Sequence, residues 1–276
     1  MTKRNAGPVA ALSMYDWPEV RSEVDAQWEE LRDELRSLGV EAPERLARAH
    51  KDLPSVPGGI RDLAGQVVSP DPTELAPDEF DPHVLWLHPD LLFAQTCWGP
   101  MELGLSRHVQ VVAQPSYDGI EGGEGDLYSS AIIMRAAEAA AVPAPPDGNA
   151  VIPLDLLRGR RLAFNDLHSM SGILGLTRDL EAMNETLDLF SSRIQSGGHR
   201  ASVALVAEGD ADVAAIDCKS LALARRFDAA AGKVAVVGWT KRRKGLPFIT
   251  SKHTPQETVL LIRRALHKLK WTHEDR

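Results

Sequence analysis

From Val20 onward the apolar residues recur at spacings of four and three: Val20, Val24, Trp28, Leu31, Leu35 and Leu38. That period puts them on one face of a long amphipathic helix. Pro18 suits its first turn and Gly39 its end. Ahead of it, Val9–Met14 reads as a first buried strand. Residues 41–83 show no period; Pro43, Pro54, Pro57, Pro70, Pro72, Pro77 and Pro82 break them up, with acids between. They read as surface loops and short helical turns. Short apolar runs then predict strands at Leu91–Gln95, Val109–Ala113, Ser130–Arg135 and Leu162–Phe164, and again at Val213–Ile216, Val234–Val237 and Phe248–Thr250. Thr96–Pro100 reads as a turn, and Ser196–Arg200 as a strand-like join. Helices are expected at Leu154–Leu157, after Ser171, through Val206 until Gly209 stops it, at Leu221–Phe227, and at Thr254–Leu269 with Pro255 in the first turn.

Strands and helices alternate along the whole chain, which predicts an α/β fold. The break near Tyr128 and the return near Phe248 divide it into two lobes: residues 1–127 with 246–276, and residues 128–245. A length of 276 residues allows two lobes of ordinary size.

Charge narrows the function classes. The net charge of −8 excludes a general nucleic-acid binder, which would be basic. No stretch has the length and apolarity to cross a bilayer. The opening MTKRNAGPVAALSMYDW lacks the apolar run of an export signal, since Pro8 interrupts what there is. No CxxC, HxH or HExxH spacing is present, so no metal or cofactor is expected. Cys97 and Cys218 each follow a predicted strand, one per lobe. They read as two unrelated residues, with a metal or redox pair as the alternative.

The chemistry concentrates between Leu162 and Asp217. LAFNDLHSMSG runs from an apolar strand through a turn rich in hydroxyls into a helix, with Ser169 and Ser171 at its start. A helix start carries free N–H groups and partial positive charge, and so attracts anions. One serine would serve as an ordinary cap; two with a following glycine favour a ligand. SGGHR places His199 at a second such join, and GDADVAAIDC ends a strand at Asp217. Strand-to-helix joins of this kind line the ligand crevice of open α/β sheets. Trp17, Trp98, Trp239 and Tyr117 also follow predicted strands; each alone reads as core, and at least one of them is expected in the crevice. Lys241-Arg242-Arg243-Lys244 reads as a solvated loop able to steer an anion.

The order of these pieces resembles the phosphonate/phosphate-type substrate-binding proteins of ABC transporters. YSSAIIMR (Tyr128–Arg135), LDLLRGRRLAFNDLHSMSG (Leu154–Gly172), SGGHRA (Ser196–Ala201), VALVAEGDADVAAID (Val203–Asp217) and GWTKRRKGLPFIT (Gly238–Thr250) carry the resemblance. It implies a two-lobed α/β fold of the type 2 periplasmic-binding-protein kind, with a ligand cleft between the lobes. It also implies a small anionic or polar organic solute as ligand, an ABC permease as partner, a periplasmic location and no catalysis. Ser169, Met170, Ser171 and Gly172 fall on the family's oxyanion-gripping turn, His199 on its ligand-contacting histidine, and Asp217 on the strand that reaches the cleft. Tyr15, Thr96 and Cys97 are the matching candidates in the first lobe. The chain departs from the usual Asp-Pro and Ser-Thr-Ser-Gly: Leu167 stands for the proline, Met170 for the threonine, and His168 is added. The alternative is a cytoplasmic enzyme on the same fold, with His199, His168, Asp217 and Cys97 as its chemical groups.

Overall fold

The computed structural model describes residues 7–272. The chain begins with β1 (Val9–Ala11) and α1 (Arg21–Ser37), the latter entered through a 3-10 turn at Pro18–Val20. A hairpin of β2 (Ile60–Arg61) and β3 (Val67–Ser69) leads to α2 (Pro82–Leu87), β4 (Leu91–Gln95), α3 (Trp98–Glu102) and β5 (Val109–Ala113). Next come β6 (Gly123–Glu124), β7 (Leu127–Tyr128), β8 (Ser130–Arg135), α4 (Leu154–Leu157) and β9 (Arg161–Phe164). A π-helical turn, Met170–Leu174, runs straight into α5 (Gly175–Glu181). Then follow β10 (Ser192–Gln195), α6 (His199–Glu208), β11 (Val213–Asp217), α7 (Cys218–Phe227), β12 (Val234–Trp239), β13 (Arg243–Lys244), β14 (Phe248–Ser251) and α8 (Gln256–Lys268).

These elements form two units. One holds the chain up to Pro115 and from Leu246 on; the other is Ser116–Gly245. The first unit has a four-stranded sheet in the order β1-β4-β14-β5. β1 and β4 are parallel, with Val9 opposite Leu91 and Ala11 opposite Ala94. β14 runs against both of its neighbours. Val24, Trp28, Leu31 and Leu35 are the buried face of α1, as the spacing predicts.

The stretch 41–83 holds the expected loops and short helical turns and is mostly exposed over 61–68 and 73–83, but its first part is not surface. Ala47, Leu53, Val56 and Ile60 are buried and pack in one core with Val9, Leu85, Leu91 and Ile249. Ala47 N–H donates to Ala10 O at 2.8 Å, which covers the edge strand β1. Apolar residues scattered among prolines bury without any helical or strand period, so the pattern hides them. Thr96–Pro100 likewise is no simple turn: α3 starts at Trp98, with Pro100 in its first turn, where its missing N–H costs nothing.

The second unit is built on a five-stranded sheet in the order β10-β9-β11-β8-β12. β10, β9 and β11 are parallel, while β8 runs against β11 and β12. Its core joins Ile132, Met134, Leu157, Leu162, Leu176, Leu180, Val213 and Val237. The strand expected around Ser196 lies four residues earlier, at Ser192–Gln195, and His199 already begins α6. β10 is an edge strand with mostly exposed residues, so it lacks the apolar run of its neighbours. α7 begins at Cys218, three residues ahead of the expected Leu221, because Asp217 caps it. Ser116–Leu127 goes with this unit, and the Tyr117 ring stacks on Tyr128 at 5.3 Å. Gly245 lies against that ring: a Cβ there would come within 2.0 Å of Tyr117 Cε2.

Candidate functional site

The three parallel strands of the second unit point their carboxyl ends to one edge, and each is followed by a loop and a helix start. After β9 the chain folds on Asp166. Its Oδ1 accepts the His168 N–H at 2.7 Å and its backbone carbonyl the Ser169 N–H at 3.1 Å. This Asx turn does the bending that a proline at 167 would do. Ser169 is extended, and its Oγ accepts the Gly172 N–H at 3.1 Å as the helix cap. The first turn is then wide: Leu174 N–H reaches back five residues to Ser169 O, at 3.1 Å.

Gly172 is required by its neighbour. A Cβ there would sit 1.7 Å from Asn165 Oδ1, so the asparagine occupies the space a side chain would need. The Asn165 carbonyl also accepts Gly197 N–H at 3.0 Å, which ties the loop after β9 to the loop after β10. In that second loop, Ser196 Oγ meets Ser202 Oγ at 2.7 Å and donates to Phe164 O at 3.2 Å. The result fixes His199 at the first position of α6. Its Nε2 meets Ser171 Oγ at 2.8 Å, and Ser171 Oγ lies 3.3 Å from Ser169 Oγ. Two serines and a histidine from two loops thus form one continuous polar chain.

Burial pushes the His199 imidazole below its ordinary pKa, and the nearby Asp217 carboxylate opposes the shift. The ring is therefore neutral at pH 7, not the imidazolium that an anion contact would favour. Its Nδ1 is enclosed and has no protein partner, and the same holds for Asn165 Oδ1. Asp217 is 1% exposed and accepts the Ser220 N–H at 2.8 Å. Burial, and then Asp217, push the Cys218 thiol well up, which keeps it protonated. Burial pulls the Lys219 amine down, against Asp217.

Other predicted residues lie elsewhere. Met170 is buried, and its Sδ takes an N–H from Arg178 at 3.6 Å. His168 is exposed beside Asp166 and outside the serine–histidine chain. Trp239 is a core residue whose indole N–H donates to Val142 O at 3.1 Å. The basic run is not a free steering loop. Arg243 pairs with Asp179, and Arg242 with Glu124 and the carbonyls of Pro145 and Pro146.

In the first unit, the predicted residues gather at the carboxyl ends of the parallel pair β1 and β4. Tyr15, Thr96 and Cys97 are all buried there, and Thr96 N–H donates to Pro247 O at 3.1 Å. Sequence reasoning missed three residues of the two groups. Asn165 and Ser196 each directly follow a strand, a position that marks them once the strand end is known. Ser13 was hidden inside an overlong first strand.

An α/β chain split into two units, each presenting polar loops at the carboxyl ends of parallel strands, has the type 2 periplasmic-binding-protein fold. The model of the family described as "ABC transporter, phosphonate, periplasmic substrate-binding protein" matches residues 98–276, well over half of the chain, and the chain belongs to that family. Its class is thus the substrate-binding protein of an ABC transporter. Solved structures of similar fold include PhnD1 from Prochlorococcus marinus in complex with methylphosphonate. The two are 14% identical with a TM-score of 0.61, over 94% of this chain and 83% of that one. A binding-protein component of an ABC phosphonate transporter from Pseudomonas aeruginosa gives 14% and 0.59, over 98% and 80%. A Xanthomonas citri protein bound to ATP gives 13% and 0.57, over 96% and 83%. At these identities the likeness is one of fold. No curated protein sequence matches the chain. Among the described residues, no helix is long and apolar enough to cross a membrane.

Proposed function

We propose that this chain binds a small phosphonate- or phosphate-type oxyanion through the Ser169–Gly172 turn and His199, and presents it to an ABC permease in the periplasm. The observation that carries the reading is the 2.8 Å contact between Ser171 Oγ and His199 Nε2. It joins the first turns of two helices whose N-terminal ends both favour negative charge. Ser169 and Ser171 supply hydroxyls, Gly172 leaves room for the Asn165 side chain against the turn, and Met170 takes part through its backbone. The buried Asp217 carboxylate favours a ligand oxygen that carries a proton over a bare dianion. Tyr15, Thr96 and Cys97 are the contacts assigned to the first unit.

We read the pair as one that binds rather than reacts. A serine–histidine nucleophile needs a third group to orient the ring. His199 Nδ1 has no protein partner, and Asp217 spends Oδ1 on the α7 cap. This disfavours the enzyme alternative.

Titration calorimetry with methylphosphonate, inorganic phosphate and sulfate tests the reading. A charge-assisted hydrogen bond lost from a buried site is worth about 1.5–3 kcal/mol. Ser171→Ala and His199→Ala are therefore each expected to weaken the bound anion about tenfold or more. Absence of heat with every anion, or affinities indifferent to both substitutions, would sink the assignment.

A further inference from the structure

Asn165 carries a buried acceptor to which the oxyanion reading gives no role. The residue directly follows β9, and its side chain folds onto the serine turn. The point that a Gly172 Cβ would occupy is 1.7 Å from Asn165 Oδ1 and 3.2 Å from Ser169 Oγ. The amide oxygen therefore lies over the turn, on the side of the capping hydroxyl. It is enclosed and has no hydrogen-bond partner.

The donors around it are spent on other groups. Gly172 N–H goes to Ser169 Oγ at 3.1 Å, and Gly197 N–H to the Asn165 backbone carbonyl at 3.0 Å. The Ser169 and Ser171 hydroxyls lie along the chain that ends on His199 Nε2. All of these residues belong to the unit Ser116–Gly245. A buried acceptor left unpaired is costly, and native structures rarely tolerate one.

An unpaired amide oxygen limits what can approach the turn. It accepts and cannot donate. A bare oxyanion would set oxygen against oxygen there, with no proton between them. An oxyanion that keeps one acidic proton can donate it to Oδ1 and still accept from the turn. The buried Asp217 carboxylate near His199 adds a negative charge that favours the same form. A site built to pair with a ligand O–H strongly rejects the analogue that lacks it, because its own polar group stays unsatisfied.

We infer that Asn165 is a specificity-determining residue. Its Oδ1 accepts the proton of a phosphonate or phosphate that retains one, and so disfavours sulfate, which carries none at neutral pH. The inference rests on the oxyanion reading and deepens it by naming the protonation state of the ligand and the residue that reads it.

The test compares methylphosphonate with sulfate in titration calorimetry on the full chain at pH 6, where the phosphonate keeps its second proton. Sulfate is read by its competition with methylphosphonate. Wild type is expected to bind methylphosphonate at least tenfold tighter. Asn165→Ala should weaken methylphosphonate at least fivefold and leave sulfate within twofold, so that the preference shrinks. Asn165→Asp, which keeps an acceptor at the same place, should retain the preference. Ser171→Ala should weaken both anions in equal proportion. Equal losses for both anions in Asn165→Ala, or a larger loss for sulfate, would mean that the amide donates to the ligand or only fills space, and overturn the inference. Wild type binding both anions alike overturns it too and leaves the oxyanion reading in place. Wild type binding neither removes both. An Asn165→Ala chain that does not fold leaves Asn165→Ser, which shortens the side chain, to decide by the same ratio.

Discussion

Burial holds His199 neutral in the ligand-free protein, against the pull of Asp217. In the proposed binding mode, an oxyanion at Ser171 reverses that balance, because its charge favours the imidazolium. The bound histidine therefore has a higher pKa than the free one, and binding takes up a proton. The sign follows by linkage. Affinity rises as pH falls from the bound-state pKa toward the lowered free-state value, by at most about tenfold per pH unit. Calorimetry between pH 5 and 8 in two buffers of different ionisation enthalpy reads the proton directly. The ligand's own titration is common to wild type and His199→Gln, so their difference isolates the imidazole. Identical pH profiles would remove His199 from contact with the anion. The same depressed pKa bears on stability: neutral burial of His199 is costless above about pH 6.5 and becomes a burden as pH falls below it, where the unfolded chain gains a proton first.

At the scale of the element, the wide turn at Met170–Leu174 depends on Gly172 giving way to Asn165. Gly172→Ala would place a methyl 1.7 Å from Asn165 Oδ1, and either the asparagine or the turn must move. Overpacking of this kind costs about 1–3 kcal/mol. The alanine variant is expected to melt several degrees lower. Asn165→Ala in the same chain vacates the space and should recover most of the loss; two losses that simply add would place the strain elsewhere. None of this coupling is visible in the string NDLHSMSG, although the serines are. The helix start at Ser169 was legible because Ser before an apolar run has one local meaning, whereas α7 was read three residues late because its first turn, Cys218–Ser220, carries no apolar period. Strands with apolar runs, such as Leu91–Gln95 and Val109–Ala113, were legible to the residue. The edge strand β10 was not, because its side chains face water and carry no pattern. The buried part of segment 41–83 was hidden for the opposite reason: Ala47, Leu53, Val56 and Ile60 answer to β1 and α2, far away in sequence. The meeting of Ser171 with His199, 28 residues apart, follows from β9 and β10 being parallel neighbours, a fact that pairing decides and composition does not.

At the scale of the whole molecule, the second unit's sheet divides its labour between its two ends. The carboxyl ends of β9, β10 and β11 carry the loops with Asn165, Ser171, His199 and Asp217. The opposite end carries a charge network around Asp212, just before β11. Its carboxylate accepts from Arg161 N and Nε at 2.9 and 3.0 Å and from Arg135 Nη2 at 3.2 Å. Arg135 also donates to Ala211 O at 2.9 Å and Arg161 to Gly209 O at 2.7 Å, so β8, β9 and the end of α6 are fastened together. Hydrogen bonds from Arg161, then a backbone N–H and Arg135, hold Asp212 far below the ordinary carboxylate range despite its burial. A depressed carboxylate stabilises the fold fully above its unfolded pKa, about 3.8. That contribution is lost progressively as pH falls through the folded value. Asp212 is largely buried but its arginines are partly exposed, which limits the contribution to about 2 kcal/mol at pH 7. Asp212→Asn should therefore melt about 5 °C below wild type at neutral pH, and the gap should close steadily below about pH 4. Because the network lies at the far end of the strands, the same variant should keep the wild-type dissociation constant for methylphosphonate within about twofold at 25 °C. A variant that binds poorly while fully folded would mean that the two ends of the sheet are not independent.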